Sequence, residues 1–123
     1  MTNDKELLEL AAKAAGIEII GLVDKMIAQP DHRTGGFIIR NDRGGDSCWN
    51  PLTDDGDALR LAVKLGMEVD IWKQGNRTIV SHFILSQNHI IETSDDLYAA
   101  TRRAIVRAAA ELGKASVEIG KTL

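Results

Sequence analysis

The strongest constraint in this chain is a period-two alternation that begins at Met67. Met67, Val69 and Ile71 alternate with Glu68, Asp70 and Trp72. Side chains of a strand point to opposite faces in turn, so such a run reads as a half-buried strand. Gly75-Asn76 then reads as a two-residue hairpin turn. Residues 78–85 form the returning strand, Gln87-Asn88 a second turn, and Ile90–Thr93 a third strand. This register sets Ile71 opposite Val80, Val69 opposite His82, Met67 opposite Ile84, and Ile84 opposite Ile91. One face of the meander is then nearly all apolar and needs helices over it. The other face is mixed, with Trp72, Ile79, Phe83 and Ile90 beside Glu68, Asp70 and Glu92. The plain expectation is that the first helix or the N-terminal strands cover it. The functional expectation is an interface in which Trp72 and Phe83 bind a partner or a second copy.

Helical periodicity brackets this meander. Residues 4–15 place Leu7, Leu10, Ala11 and Ala14 on one stripe, with Asn3 as N-cap, Glu6 completing a capping box and Gly16 as terminator. Residues 17–24 and 37–40 read as strands, and residues 41–51 as a polar loop that carries Trp49. Thr53 is the expected cap of a second helix, with Asp54, Asp55 and Asp57 in its first turn. Ala58, Leu61, Ala62 and Leu65 form its stripe, and Gly66 ends it. A third helix covers residues 95–112, capped by Thr93 or Ser94 and ended by Gly113. Its inner stripe is Leu97, Thr101, Ala104, Ile105, Ala108 and Leu112. The order αββαβββα gives an α+β fold, a largely antiparallel sheet packed by helices, in one domain over residues 1–123.

Charge and cysteine content exclude several classes. The net charge is −3, which argues against a surface that neutralises nucleic-acid phosphates. Arg102, Arg103 and Arg107 still make a basic row on the third helix. Arg103 and Arg107 are its candidate binding residues, toward phosphates or an acidic partner. The plainer reading is a solvated helix face, with Glu111 pairing Arg107. Cys48 is the only cysteine, which suits a reducing compartment. The polar start, Met1-Thr2-Asn3-Asp4, is not a signal peptide. No run approaches the roughly 20 apolar residues of a membrane span. The expected location is the cytoplasm.

No catalytic or cofactor motif emerges, and the balance leans away from an enzyme without deciding it. Asp54 and Asp57 share a helix face while Asp55 points about 100° away, so helix-dipole complementation explains them better than a cation does. Asp42, Asp46 and Asn50 sit in the polar loop nearby, and the alternative to an interaction role is a metal or enzyme site over residues 42–57. His82 and His89 are set roughly 13 Å apart by the expected register, too far for one zinc ion. Glu68 and Glu92 are expected on the same face, roughly 10 Å apart. Cys48 has no base fixed beside it by any motif.

Cys48-Trp49-Asn50-Pro51-Leu52-Thr53-Asp54 is the most distinctive stretch. A tryptophan precedes an Asn-Pro turn, a threonine cap and an acidic first helical turn. With the meander that follows and Ala99-Ala100-Thr101-Arg102-Arg103-Ala104-Ile105 in the last helix, it resembles the phage ABA sandwich domain family. Members share a W-x-P-[ST]-x-D lead-in to a helix, and here Leu52 moves the cap by one residue. The resemblance spans residues 37–112 and implies an α/β/α layered fold and a phage or prophage accessory role in the bacterial host. It implies no active site or cofactor. Trp49 is expected either to pack beneath the second helix or to stand out as a binding anchor for a host or phage protein.

Overall fold

The computed structural model describes residues 3–22, 36–85 and 89–122, with the side chains of residue 22 and of residues 116–122 left undescribed. The elements are α1 (Asp4–Ala15), β1 (Ile19–Leu22), β2 (Phe37–Arg40), β3 (Asp46–Trp49), α2 (Asp55–Leu65), β4 (Glu68–Trp72), β5 (Arg77–Ser81), β6 (Ile90–Thr93) and α3 (Leu97–Thr122). The fold is α+β, with β1-β2-β3 and β4-β5-β6 as two separate antiparallel sheets.

The order is αβββαβββα, one strand more than periodicity suggested. β3 is the added strand, where a polar loop was expected. Its composition is polar, but its pairing is fixed by the hairpin. Asn41 Oδ1 accepts the Arg43 and Gly45 N–H groups, each at 3.0 Å. Gly44 takes the left-handed conformation at φ 82°. This Asx-type turn sets Phe37 opposite Trp49 and Ile39 opposite Ser47. Phe37, Ile39 and Trp49 then enter the same core as the helices. Residues 23 and 24 of the expected first strand, and the turn that the sequence suggests at Gln29-Pro30, lie outside the described residues.

α1 matches its expected bounds. Asn3 Oδ1 accepts the Glu6 N–H at 2.9 Å, and Gly16 closes the helix in the left-handed region. Its buried face is Leu7, Leu8, Ala11, Ala12 and Ala15, a stripe turned slightly from the expected one.

α3 starts two residues later than expected and runs well past Gly113. Its first turn is capped by Asp96, whose Oδ1 accepts the Ala99 N–H at 3.2 Å, and not by Thr93 or Ser94. Gly113 is interior. A Cβ there would overlap the Leu10 carbonyl oxygen and lie 3.0 Å from its carbon. The glycine thus permits backbone contact between α1 and α3 instead of stopping the helix. Ala100, Ala104, Val106, Ala108, Ala109 and Ala110 are all buried, as in a helix enclosed by its neighbours. α1 and α2 pack against it, and β5 and β6 pack against it as well.

The meander register differs from the expected one. Val69 faces Val80, Asp70 faces Ile79 and Trp72 faces Arg77. The connection is the four-residue loop 73–76; Asn76 has a positive φ, 48°, but Gly75 does not, and both primed two-residue turns need a positive φ at the first central residue. β4 keeps its expected faces, since the shift is two residues. β6 does not. Val80 faces Ile90 and Thr78 faces Glu92, so Ile90 and Glu92 turn toward α3 and Ile91 turns outward. An odd slip exchanges the faces of a whole strand. Ion pairs from Glu92 to Arg107 and Arg103 of α3 hold this choice. The second turn, at Gln87-Asn88, lies outside the described residues.

Thr78 and Val80 are fully buried beneath α3, and the Thr78 hydroxyl is 2.7 Å from that of Thr101. The outer face of β4-β5-β6 is covered by no described element. Trp72 and Ile91 on it are about half exposed. No helix among the described residues is long and apolar enough to cross a membrane.

Candidate binding surface

The acidic lead-in to α2 is a structural device. The N-cap is Asp54, not Thr53, and its Oδ2 accepts the Asp57 N–H at 2.8 Å. The Asp57 carboxylate is buried and accepts from the Asn50 N–H at 2.9 Å and from Arg60 at 2.7 Å. The Asn50 side chain accepts the Leu52 N–H, and its carbonyl accepts from the Thr53 and Asp54 N–H groups. A helix start with this many acceptors satisfies the orphan N–H groups of its first turn. Among the described residues, no three His, Cys, Asp or Glu side chains gather as a metal ion requires. Asp42 and Asp46 sit exposed on the β2-β3 hairpin.

Trp49 is 4% exposed. It is a core residue, and the expectation of an exposed anchor there is overturned. The arginine row is committed internally. Arg102 donates to the Leu52 carbonyl at 2.9 Å and to Asp55 at 2.6 Å. Arg103 pairs with Asp4 at 3.2 Å, and Arg107 with Glu92 rather than Glu111, which instead meets Lys114. These pairs tie α3 to α1, α2 and β6, while the Arg103 and Arg107 side chains stay 42% and 40% exposed.

His82 is a clamp. Its Nε2 lies 2.7 Å from the Leu65 carbonyl, while its Nδ1 accepts the Ile84 N–H at 3.1 Å. The Nε2–H tautomer satisfies both contacts and ties the end of β5 to the end of α2. His89 Nδ1 lies 2.9 Å from the Ser81 hydroxyl. Glu68 and Glu92 fall on opposite faces of the sheet, because β6 pairs in the other parity.

Phe83 and Trp72 do not share a row on the sheet. β5 ends at Ser81, and Phe83 sits in the following turn, 83% exposed, with its ring stacked on His82 at 4.8 Å. Trp72 lies beneath the Arg77 guanidinium, 4.8 Å from its ring centre, a cation–π contact that occupies one side of the indole.

A concave feature lies elsewhere. A groove of about 850 Å³ runs between α2 and β4, with the first turns of α3 as its floor. Ala58, Leu59 and Ala62 form one wall, and Val69 and Ile71 the other. Leu97, Tyr98 and Ile105 come from α3. The lining is chiefly apolar, yet Leu59, Ile71 and Tyr98 are 63%, 54% and 73% exposed. Val63, one turn beyond Leu59 on α2, is equally open. Charge collects at the mouth, where Asp55, Asp95 and Asp96 stand against Lys73 and Arg102.

Leu59, Ile71 and Tyr98 were not singled out by sequence pattern as binding residues. One signal was present. Leu59 and Val63 are large apolar residues at i, i+4, displaced from the Ala58-Leu61-Ala62-Leu65 stripe that faces the core. A second apolar row on an amphipathic helix implies a second contact surface. No family model, no curated protein and no solved structure matches this chain.

Proposed function

We propose that this chain is a protein-interaction module that docks a partner in the groove between α2, β4 and α3. Large apolar side chains at a groove mouth carry this reading. Leu59, Ile71 and Tyr98 converge from three elements, and each keeps more than half its surface in water. Burying apolar surface releases roughly 25 cal/mol per Å². A concave apolar site of this volume lies in the range of ligand and partner pockets. The outer sheet face is the lesser surface, since Trp72 on it is already stacked with Arg77. An accessory role in a phage or prophage setting, as the resemblance over residues 37–112 implies, accords with such a module.

A random peptide library selected against the immobilised chain tests the reading. Enriched peptides are expected to lose at least tenfold in affinity for Leu59→Gln and Tyr98→Gln. Both positions are exposed, so both variants should fold as the parent does. Failure to enrich any sequence, or binding indifferent to both substitutions, would refute the groove as the docking site.

A further inference from the structure

We propose that the occupant of the groove is an extended peptide of alternating apolar and basic residues, which adds to β4 as a fourth strand. This rests on the interaction reading above and specifies the partner's chemistry. β4 is the end strand of its sheet, with β5 as its single neighbour among the described residues. The free edge of such a strand presents N–H and C=O groups from alternate residues, a template for one more strand. The groove runs along β4 and separates it from α2. An added strand sits roughly 4.8 Å from its neighbour, so the groove is where a guest backbone would lie. Main-chain hydrogen bonds then hold the guest, and alternate side chains confer selectivity.

The side chains of β4 state what the guest must carry. Val69 and Ile71 line the groove. Guest residues on that side meet Ile71, Leu59 and Tyr98, and must be apolar. Glu68 and Asp70 project from the opposite face of β4 and are exposed. Across β5 they face Ser81 and Ile79, and neither makes an ion pair with a described residue. Opposite charges on directly paired residues stabilise a sheet, and like charges destabilise it. Basic guest residues therefore suit positions beside Glu68 and Asp70.

The same geometry disfavours a second copy of this chain on the edge. Antiparallel pairing of β4 with β4 brings Asp70 opposite Asp70, or Glu68 opposite Asp70 when the register moves by two. A helix would fill the apolar groove but leave the β4 edge and its two carboxylates unanswered.

The test uses three fluorescent octapeptides and binding anisotropy. One alternates Lys and Val, one alternates Glu and Val, and one holds the Lys and Val of the first reordered to helical spacing. The Lys/Val alternating peptide is expected to bind at least tenfold more tightly than either other. The Glu68→Lys, Asp70→Lys double variant should reverse the preference toward the Glu/Val peptide. Leu59→Gln should weaken the Lys/Val alternating peptide without changing which charge is preferred. Equal binding of the reordered peptide, or no response to the charge reversal, would overturn the proposal. If no octapeptide binds while library peptides still depend on Leu59, the strand proposal falls and the interaction reading stands. If the library also yields nothing, both fall.

Discussion

The two flanks of α3 are built by opposite choices of side chain. On one flank α1 brings Ala11, Ala12 and Ala15 to a helix rich in alanine, and Gly113 lets the Leu10 backbone come into contact. Small residues close that flank to solvent. On the other flank, α2 and β4 carry Leu59 and Ile71, which stay open with Tyr98 over a groove floored by Leu97 and Ile105. The contrast separates stability from availability. The first flank holds the fold together, and the second keeps apolar surface ready for something else to bury.

Breaking the closed flank should have the largest effect. Gly113→Ala should destabilise the protein by about 2 kcal/mol, because the added methyl meets backbone that cannot swing aside. In an open helix interior the same change stabilises by about 1 kcal/mol, so the sign alone decides the matter in urea unfolding. A stabilised variant would mean that α1 and α3 do not cross this closely.

The wall of the groove depends on α2 being held at its start. Asp57→Ala strips the Asn50 N–H of its buried acceptor and should cost about 2 kcal/mol. Asp54→Ala removes the N-cap acceptor and a 3.8 Å pairing with the exposed Arg60 side chain, and should cost about 1 kcal/mol. Thermal unfolding that ranks Asp54 above Asp57 would reverse the assignment of the buried anchor.

On the open flank the expected stability effects are the smallest. Leu59→Gln and Tyr98→Gln should each change stability by less than about 0.5 kcal/mol, the range of ordinary surface substitutions. A loss above about 1 kcal/mol in denaturant unfolding would show that these side chains pack in solution.

Much of the shorter helices, α1 and α2, was legible in the sequence. The caps and terminators of α1 and the stripe of α2 follow from local chemistry that acts within a turn or two. Gly113 was misread because a helix stop and a close helix crossing use the same residue. The choice between them is made by Leu10, about a hundred positions away along the chain. β3 was missed because a polar strand shows its identity only through its partner, here β2 across the Asn41 turn. The face of β6 was set by Glu92 meeting Arg107, a contact between elements that periodicity does not register.

The candidate site was the least legible part. Trp49, singled out for its setting, is core, and Arg103 and Arg107 form ion pairs within the molecule. Trp72 and Phe83 are exposed but face different neighbours, Arg77 and His82. The groove is made by Leu59, Ile71 and Tyr98, which come from three elements and share no local pattern. Only the second apolar row on α2 hinted at it.

The most direct test is an amide chemical-shift titration of the isotope-labelled chain with the alternating Lys/Val octapeptide. Shifts are expected along β4 from Glu68 to Trp72, at Ala58 and Leu59 of α2, and in the first two turns of α3, with Leu10 and Gly113 unmoved. Shifts confined to Ile79 and Ile91 on the outer sheet face, or spread across the α1–α3 contact, would contradict the account.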